Sequence, residues 1–162
     1  MTAIPHQHSQ RAPLYTPEQR LRRDATGWTM VQGILAPVQF LAFGISLVLV
    51  LRFLATGDGY AAATVSILIK TGLLYTIMVT GALWEKAVFG QYLFAHAFFW
   101  EDVLSFAVIA LHTLYLWGLL TGLVPPRSLM IVTLAAYATY VVNAGQFILK
   151  LRAARLDQRA AA

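Results

Sequence analysis

WTMVQGILAPVQFLAFGISLVLVL, residues 28–51, runs for 24 positions without an acid or a base. As a helix it would rise about 36 Å at 1.5 Å per residue, enough to cross a hydrocarbon layer of about 30 Å. A buried helix of a soluble domain has no need of that length. Three further stretches read the same way: residues 61–83, 103–124 and 128–149. Their connections differ. Residues 52–60 and 125–127 are short links, while 84–102 is long, aromatic and mildly charged.

The composition agrees. Of 162 residues, 59% are hydrophobic and 12% charged, against about 25% charged in a soluble domain. The fold class expected is an all-α membrane protein with four transmembrane helices. There is no cysteine, which excludes disulfides and thiolate metal sites. The net charge of +5 comes from bases flanking the apolar stretches. They form no basic stripe, so nucleic acid is not an expected partner. The opening MTAIPHQHSQRAPLYTPEQ has no apolar run behind a basic start, so no cleavable signal is expected there. It reads as a tail loose to about Leu14, with His6 and His8 in water. Thr16-Pro17-Glu18-Gln19 then reads as a capped helix start. The polar, basic helix that follows is expected on the membrane surface. The organisation is thus 1–27 tail and interfacial helix, 28–150 transmembrane domain, and 151–162 basic C-terminal tail.

Lysines and arginines near the span ends set orientation. Arg11, Arg20, Arg22, Arg23, Lys86, Lys150, Arg152, Arg155 and Arg159 fall on one side, and Arg52 and Arg127 on the other. Both termini and the long loop are therefore expected in the cytoplasm. Aligning the spans by their midpoints brings Gln39, Lys70, His112 and Tyr140 to one depth near the midplane. Polar side chains at that depth must face one another or a cavity. A second polar layer lies nearer the cytoplasm: Gln32 on the first span, and Asn143, Gln146 and Lys150 on one face of the fourth.

At the start of the third span stands AFFWEDVLSFAVIALH, residues 97–112. Glu101, Ser105 and His112 share a helical face, and Asp102 is turned about 100° from it. One reading of Glu101 and Asp102 is electrostatic: acids in a first turn complement the helix dipole. The other is catalytic: a general acid, with Glu85 across the loop as a third acid. His112, the one histidine in a span, reads either as an interhelical hydrogen-bonder or as a ligand or proton donor. Lys70 reads either as a partner for a neighbouring helix or as a contact for a polar ligand. The aromatics of 84–100, Phe99 and Trp100 among them, serve as interface anchors or wall an apolar pocket.

RLRRDATGWTMVQGILAPVQFLAF (20–43), LYTIMVTGALWEKAVFGQYLFAHAFFWEDVLSFAVIALHTLYL (74–116) and YVVNAGQFILKLR (140–152) together resemble the 3-vinyl bacteriochlorophyllide hydratase family of bacteriochlorophyll biosynthesis. The resemblance covers nearly the whole chain, and its WEK…YLFA-AFFWEDV block is the most specific part. It implies a hydro-lyase that adds water to the A-ring vinyl group of chlorophyllide a or a 3-vinyl bacteriochlorophyllide, giving a 1-hydroxyethyl group. No cofactor is implied, because the magnesium belongs to the substrate. Set on this sequence, the expected catalytic residues are Glu101, Asp102 and Glu85. His112 would meet the substrate magnesium or a ring carbonyl. Lys86, or an arginine of the Arg20 to Arg23 cluster, would meet the propionate, and Lys70 a polar ring substituent. Gln39, Asn143, Gln146, Trp100 and Phe99 complete the expected binding set. The partners implied are the pigment and the lipid of a bacterial inner or intracytoplasmic photosynthetic membrane. A second copy, or another enzyme of pigment synthesis, is the expected protein contact. The alternative is a non-catalytic pigment-binding or assembly protein of a photosynthetic complex.

Overall fold

A computed structural model describes residues 14–160, all of its regular structure helical. The tail and its two histidines lie outside those residues. Helix α1 (Pro17–Ala25) starts as its sequence predicts. The Thr16 hydroxyl accepts from the Gln19 N–H, and the Gln19 side chain accepts from the Thr16 N–H. Four long helices follow: α2 (Gly27–Thr56), α3 (Tyr60–Phe89), α4 (Phe99–Thr121) and α5 (Pro126–Ala160). All four are long and apolar enough to cross a membrane.

Three of the four long helices, α2, α3 and α5, outlast their apolar windows, whereas α4 starts before its window and ends at Thr121, inside it. The fourth is the clearest case: the window closes at Leu149, yet α5 runs on through KLRAARLDQRA. Ala, Leu, Arg, Lys and Gln are strong helix formers, so charge ends the apolar pattern without ending the helix. Ala154 is buried in this extension.

The helices pack as two antiparallel hairpins, α2 with α3 and α4 with α5, closed by contacts of α2 with α5 and α3 with α4; α1 lies on α3. Two short turns make the hairpins at one end. The third connection, residues 90–98, lies at the opposite end, with the start of α2 and the end of α5. The outer surface is apolar, with Ile34, Leu41, Val48, Val65, Leu114 and Val142 all exposed. That inverts the pattern of a soluble bundle and matches a lipid solvent.

With lipid outside, burial of apolar area does not drive helix against helix, and polar ties carry specificity. They occur at several depths. Tyr137 donates to Ser46 (2.6 Å), and Ser46 meets Ser66 (2.8 Å). Tyr75 meets Thr113 (2.7 Å), Gln32 donates to Thr80 (2.8 Å), and the Trp84 indole N–H donates to Thr29 (2.9 Å). At the short-turn end, Val50, Ala63, Ile67, Tyr115, Leu129, Met130 and Tyr137 form the largest apolar cluster. At the loop end, a smaller one joins Tyr15, Val88 and Phe98, and this docks the start of α1.

Candidate active site

Residues 90–98 link α3 to α4 and shape what lies beneath them. Gly90 ends α3 in the left-handed region (φ 86°), its N–H donating to the Lys86 carbonyl. Phe94 is also left-handed (φ 59°), rare for a side chain of that size, and such a conformation costs about 1–3 kcal/mol. Two acids hold it there. The Phe94 N–H donates to Asp102 Oδ2 (2.7 Å), and the next N–H, of Ala95, donates to Glu85 Oε2 (3.1 Å). Consecutive amides around a left-handed residue form a concave donor pair suited to carboxyl oxygens. Because the two carboxyls accept from consecutive loop amides, Glu85 and Asp102 are held side by side. Both residues are about 95% buried, Glu85 at 5% exposure and Asp102 at 4%. The pair thus joins the last turns of α3 to the first turn of α4.

Glu101 has a different neighbour. Its Oε2 lies 2.5 Å from Lys150 Nζ on α5, and the same ammonium donates to the Ala97 carbonyl (2.5 Å). A 100° step between adjacent helical residues separates the two acids. One turns to a cation on α5, the other to a second acid on α3. The sequence reading ranked Glu101 first for proton donation because it shares a face with His112. The structure gives that carboxyl the Lys150 ammonium as its partner.

Deeper in the bundle, the expected midplane layer assembles. Lys70 Nζ donates to Gln39 Oε1 and stands 3.8 Å from the centre of the Tyr140 ring. Lys70 and Gln39 are buried. His112 is buried too. Its Nδ1 pairs with the Val108 carbonyl (2.8 Å), and its Nε2 has no partner. With Nδ1–H donating, Nε2 carries a free lone pair. Nearer the loop, the Asn143 amide donates to Ser105 (2.8 Å). Gln146 and Lys86 are exposed. The Lys86 ammonium donates to the Gly90 carbonyl (2.7 Å) and lies 5.2 Å from the Tyr92 ring. Ten residues separate Asp102 from His112, about 15 Å of depth along α4.

The aromatics of the long connection divide into two groups. Trp84, Phe89 and Phe98 turn inward and form edge-to-face contacts with one another at 5.6–5.9 Å, joined by Tyr15 and Phe147. Phe94, Phe99 and Trp100 turn outward with Phe106. The first group is a structural plug, and the second stands exposed on the outer surface. Sequence reasoning missed the role of Lys150. It placed this lysine on the face of Asn143 and Gln146, but nothing local said that α5 would bring it to Glu101. It also missed the pairing of Glu85 and Asp102, which depends on a loop conformation with no sequence marker. Among the described residues, no three or more histidines, cysteines or acids gather as a metal site.

Chemically, a side-by-side carboxyl pair under amide donors, closed from water, is suited to hold and pass one proton. Comparison with known proteins names a reaction needing such a proton. A family profile described as 2-vinyl bacteriochlorophyllide hydratase matches residues 15–153. A protein of Rhodobacter capsulatus named 2-vinyl bacteriochlorophyllide hydratase is 73% identical over 151 residues, 93% of this chain and 88% of that one. One of the same name from Cereibacter sphaeroides is 72% identical over 160 residues, 98% of this chain and 96% of that one. No solved structure matches the chain. The matches span α1 to α5, including the loop and its acids, and the chain belongs to the 2-vinyl bacteriochlorophyllide hydratase family.

Proposed function

We propose that this protein hydrates the A-ring vinyl group of a bacteriochlorophyllide within the bilayer, and that the Glu85–Asp102 pair moves the proton. The two ring-numbering conventions give that vinyl group different locants. The relatives' names supply the reaction, and the buried carboxyl pair supports the assignment of residues. Two bare carboxylates side by side repel strongly, so the pair holds one proton between them. That proton goes to the terminal vinyl carbon, forming its new C–H bond. The cation left on the inner carbon is delocalised into the macrocycle. Water attacks that carbon, and the proton it sheds returns to the pair. The net change is one water added, with the acid regenerated and no redox cofactor called for.

Glu101 takes no part in this transfer. Its ion pair with Lys150 fixes the first turn of α4, and so the aim of Asp102. Lys86, exposed beside the loop, supplies a charge for the substrate's propionate. One observation favours a deeper seat for the ring: His112 Nε2 offers an unused lone pair for the substrate magnesium, and the buried Gln39 Nε2 is a free donor for a ring carbonyl. His112→Ala tests this, since pigment affinity falls if the ring sits there and is unchanged if it does not.

In orientation, the loop end carries the basic residues, which favours the cytoplasmic face of the inner or intracytoplasmic photosynthetic membrane. α1, with Arg20, Arg22 and Arg23, then lies along the headgroups. A substrate and product that both stay in the bilayer favour contact with neighbouring enzymes of pigment synthesis. The reaction is tested by incubating the purified protein in lipid nanodiscs with vinyl pigment and water enriched in heavy oxygen. The hydroxyethyl product is expected to carry one heavy oxygen; pigment recovered unchanged would sink the proposal.

A further inference from the structure

The acid pair is closed on the bundle side by α3, α4 and the loop, so the substrate's route to it needs another wall. Three exposed rings supply one. On α4, Phe99 and Phe106 stand three residues before and four after Asp102, the spacings that place side chains over the same patch of a helix. Phe94, whose N–H donates to Asp102, lies between them. Its ring stacks on Phe106 at 5.5 Å with planes 12° apart, and meets Phe99 at 5.7 Å. Trp100 continues the row, edge-on to Phe99 at 5.4 Å. These rings are 40–69% exposed, whereas the carboxyl behind them is 4% exposed.

We infer that Phe94, Phe99 and Phe106 form a stacking platform on the lipid side of α4, on which the flat macrocycle docks with its vinyl edge toward Asp102. This inference rests on the hydratase reading and adds the position of the substrate to it. Lipid tails alone would be met equally well by the aliphatic side chains that cover most of the bundle. Aromatic faces grouped over one buried acid suit an extended π-system better. Charge agrees with the same occupant. Lys86 is exposed where the loop begins, and the pigment is an apolar disc with one carboxylate.

The test uses the full-length protein in nanodiscs. Pigment affinity is read by titrating a magnesium vinyl chlorin with a free carboxylate into an Asp102→Asn background, and kcat and KM are read in the otherwise wild-type protein. Phe99→Leu and Phe106→Leu keep apolar contact with lipid and remove the π-face. Each is expected to weaken affinity about two- to tenfold, the range of one aromatic pair, and to raise KM with kcat nearly unchanged. Phe106→Trp should restore binding. Trp117→Leu, exposed toward the other end of α4, is the control and should change nothing. Unchanged affinity in Phe99→Leu/Phe106→Leu, or an equal loss in Trp117→Leu, would overturn the platform. The two readings fail separately: heavy oxygen absent from wild-type product removes the hydratase reading, whereas the platform is judged on affinity alone.

Discussion

Asp102→Asn and Glu101→Gln are both isosteric, each replaces a carboxyl by an amide, and the residues are adjacent. The structure nevertheless assigns them different outcomes. In Asp102→Asn, the amide oxygen can still accept from the Phe94 N–H, now 2.7 Å from Oδ2, and the amide N–H can donate to Glu85. The loop and the strained Phe94 are therefore expected to survive. The shared proton does not, because an amide neither gives up nor takes back a proton at neutral pH. Loss of a positioned acid costs about 10²–10⁴ in rate, or about 3–5 kcal/mol of barrier. In Glu101→Gln, a neutral acceptor still faces Lys150, whose side chain is 28% exposed and can lean its charge toward water. The expected effect is a rate within about tenfold of wild type, through small errors in the aim of Asp102. The assay is single-turnover conversion of vinyl to hydroxyethyl pigment in nanodiscs, with helical content checked by circular dichroism. The reverse ranking, a folded Glu101→Gln that is dead beside an active Asp102→Asn, would refute the assignment of the proton to the Glu85–Asp102 pair.

Lys150→Met leaves the buried Glu101 carboxylate without its cation and the Ala97 carbonyl without its donor. It is expected to cost about 2–4 kcal/mol, less than a fully buried pair because Lys150 is partly exposed, whereas Lys150→Arg restores most of it; thermal unfolding in detergent reads both. Lys70→Met removes a cation from the midplane and strands the Gln39 amide oxygen. It is expected to leave turnover unchanged and stability level or higher by about 1–2 kcal/mol, and a lost turnover would place Lys70 in the substrate site. Tyr15, packed on Phe89 and Phe98, has its phenol pushed up by burial to about 12 from 10.0. A raised folded value means its contribution is complete below about pH 10 and fades as pH climbs toward 12. α1 should therefore loosen over that alkaline window, and Tyr15→Phe should remove that part of the pH dependence, followed by proteolysis within residues 17–26.

Much of this architecture was legible because a lipid solvent imposes a simple rule. Every backbone group must be paired within the segment, so length and apolarity alone mark the spans. The Thr16–Gln19 capping box was legible for the same local reason. So was the meeting of Gln39, Lys70 and Tyr140, since helices of equal rise place residues at predictable depth. What was not legible is lateral. Depth says nothing of which helix a side chain faces, so Lys150 could not be assigned to Glu101. The Glu85–Asp102 pairing was hidden for a different reason. It is made by the path of residues 90–98, and its marker is a positive φ at Phe94, a residue whose type argues against one.

The order of residues at the head of α4 now has a physical account. At about 100° per residue, Glu101, Asp102 and Val103 point to three different sectors. Glu101 faces α5 and the Lys150 cation. Asp102 faces α3, Glu85 and the loop amides. Val103 points outward, and Phe99 and Phe106 lie between its sector and that of Asp102. Adjacency keeps the two acids separate: three or four positions apart they would share a face and compete for one partner. Lys150 would then face the carboxyl pair proposed to share a proton. The same geometry makes the register of α4 the sensitive variable. One residue inserted between Phe98 and Glu101 would turn Glu101 out of reach of Lys150 and Asp102 away from Glu85, while leaving the apolar span intact. The expected product is a well-inserted protein with no turnover and a freely cleaved loop. Retained activity in that insertion would mean that the contacts of Glu101 and Asp102 are incidental to catalysis.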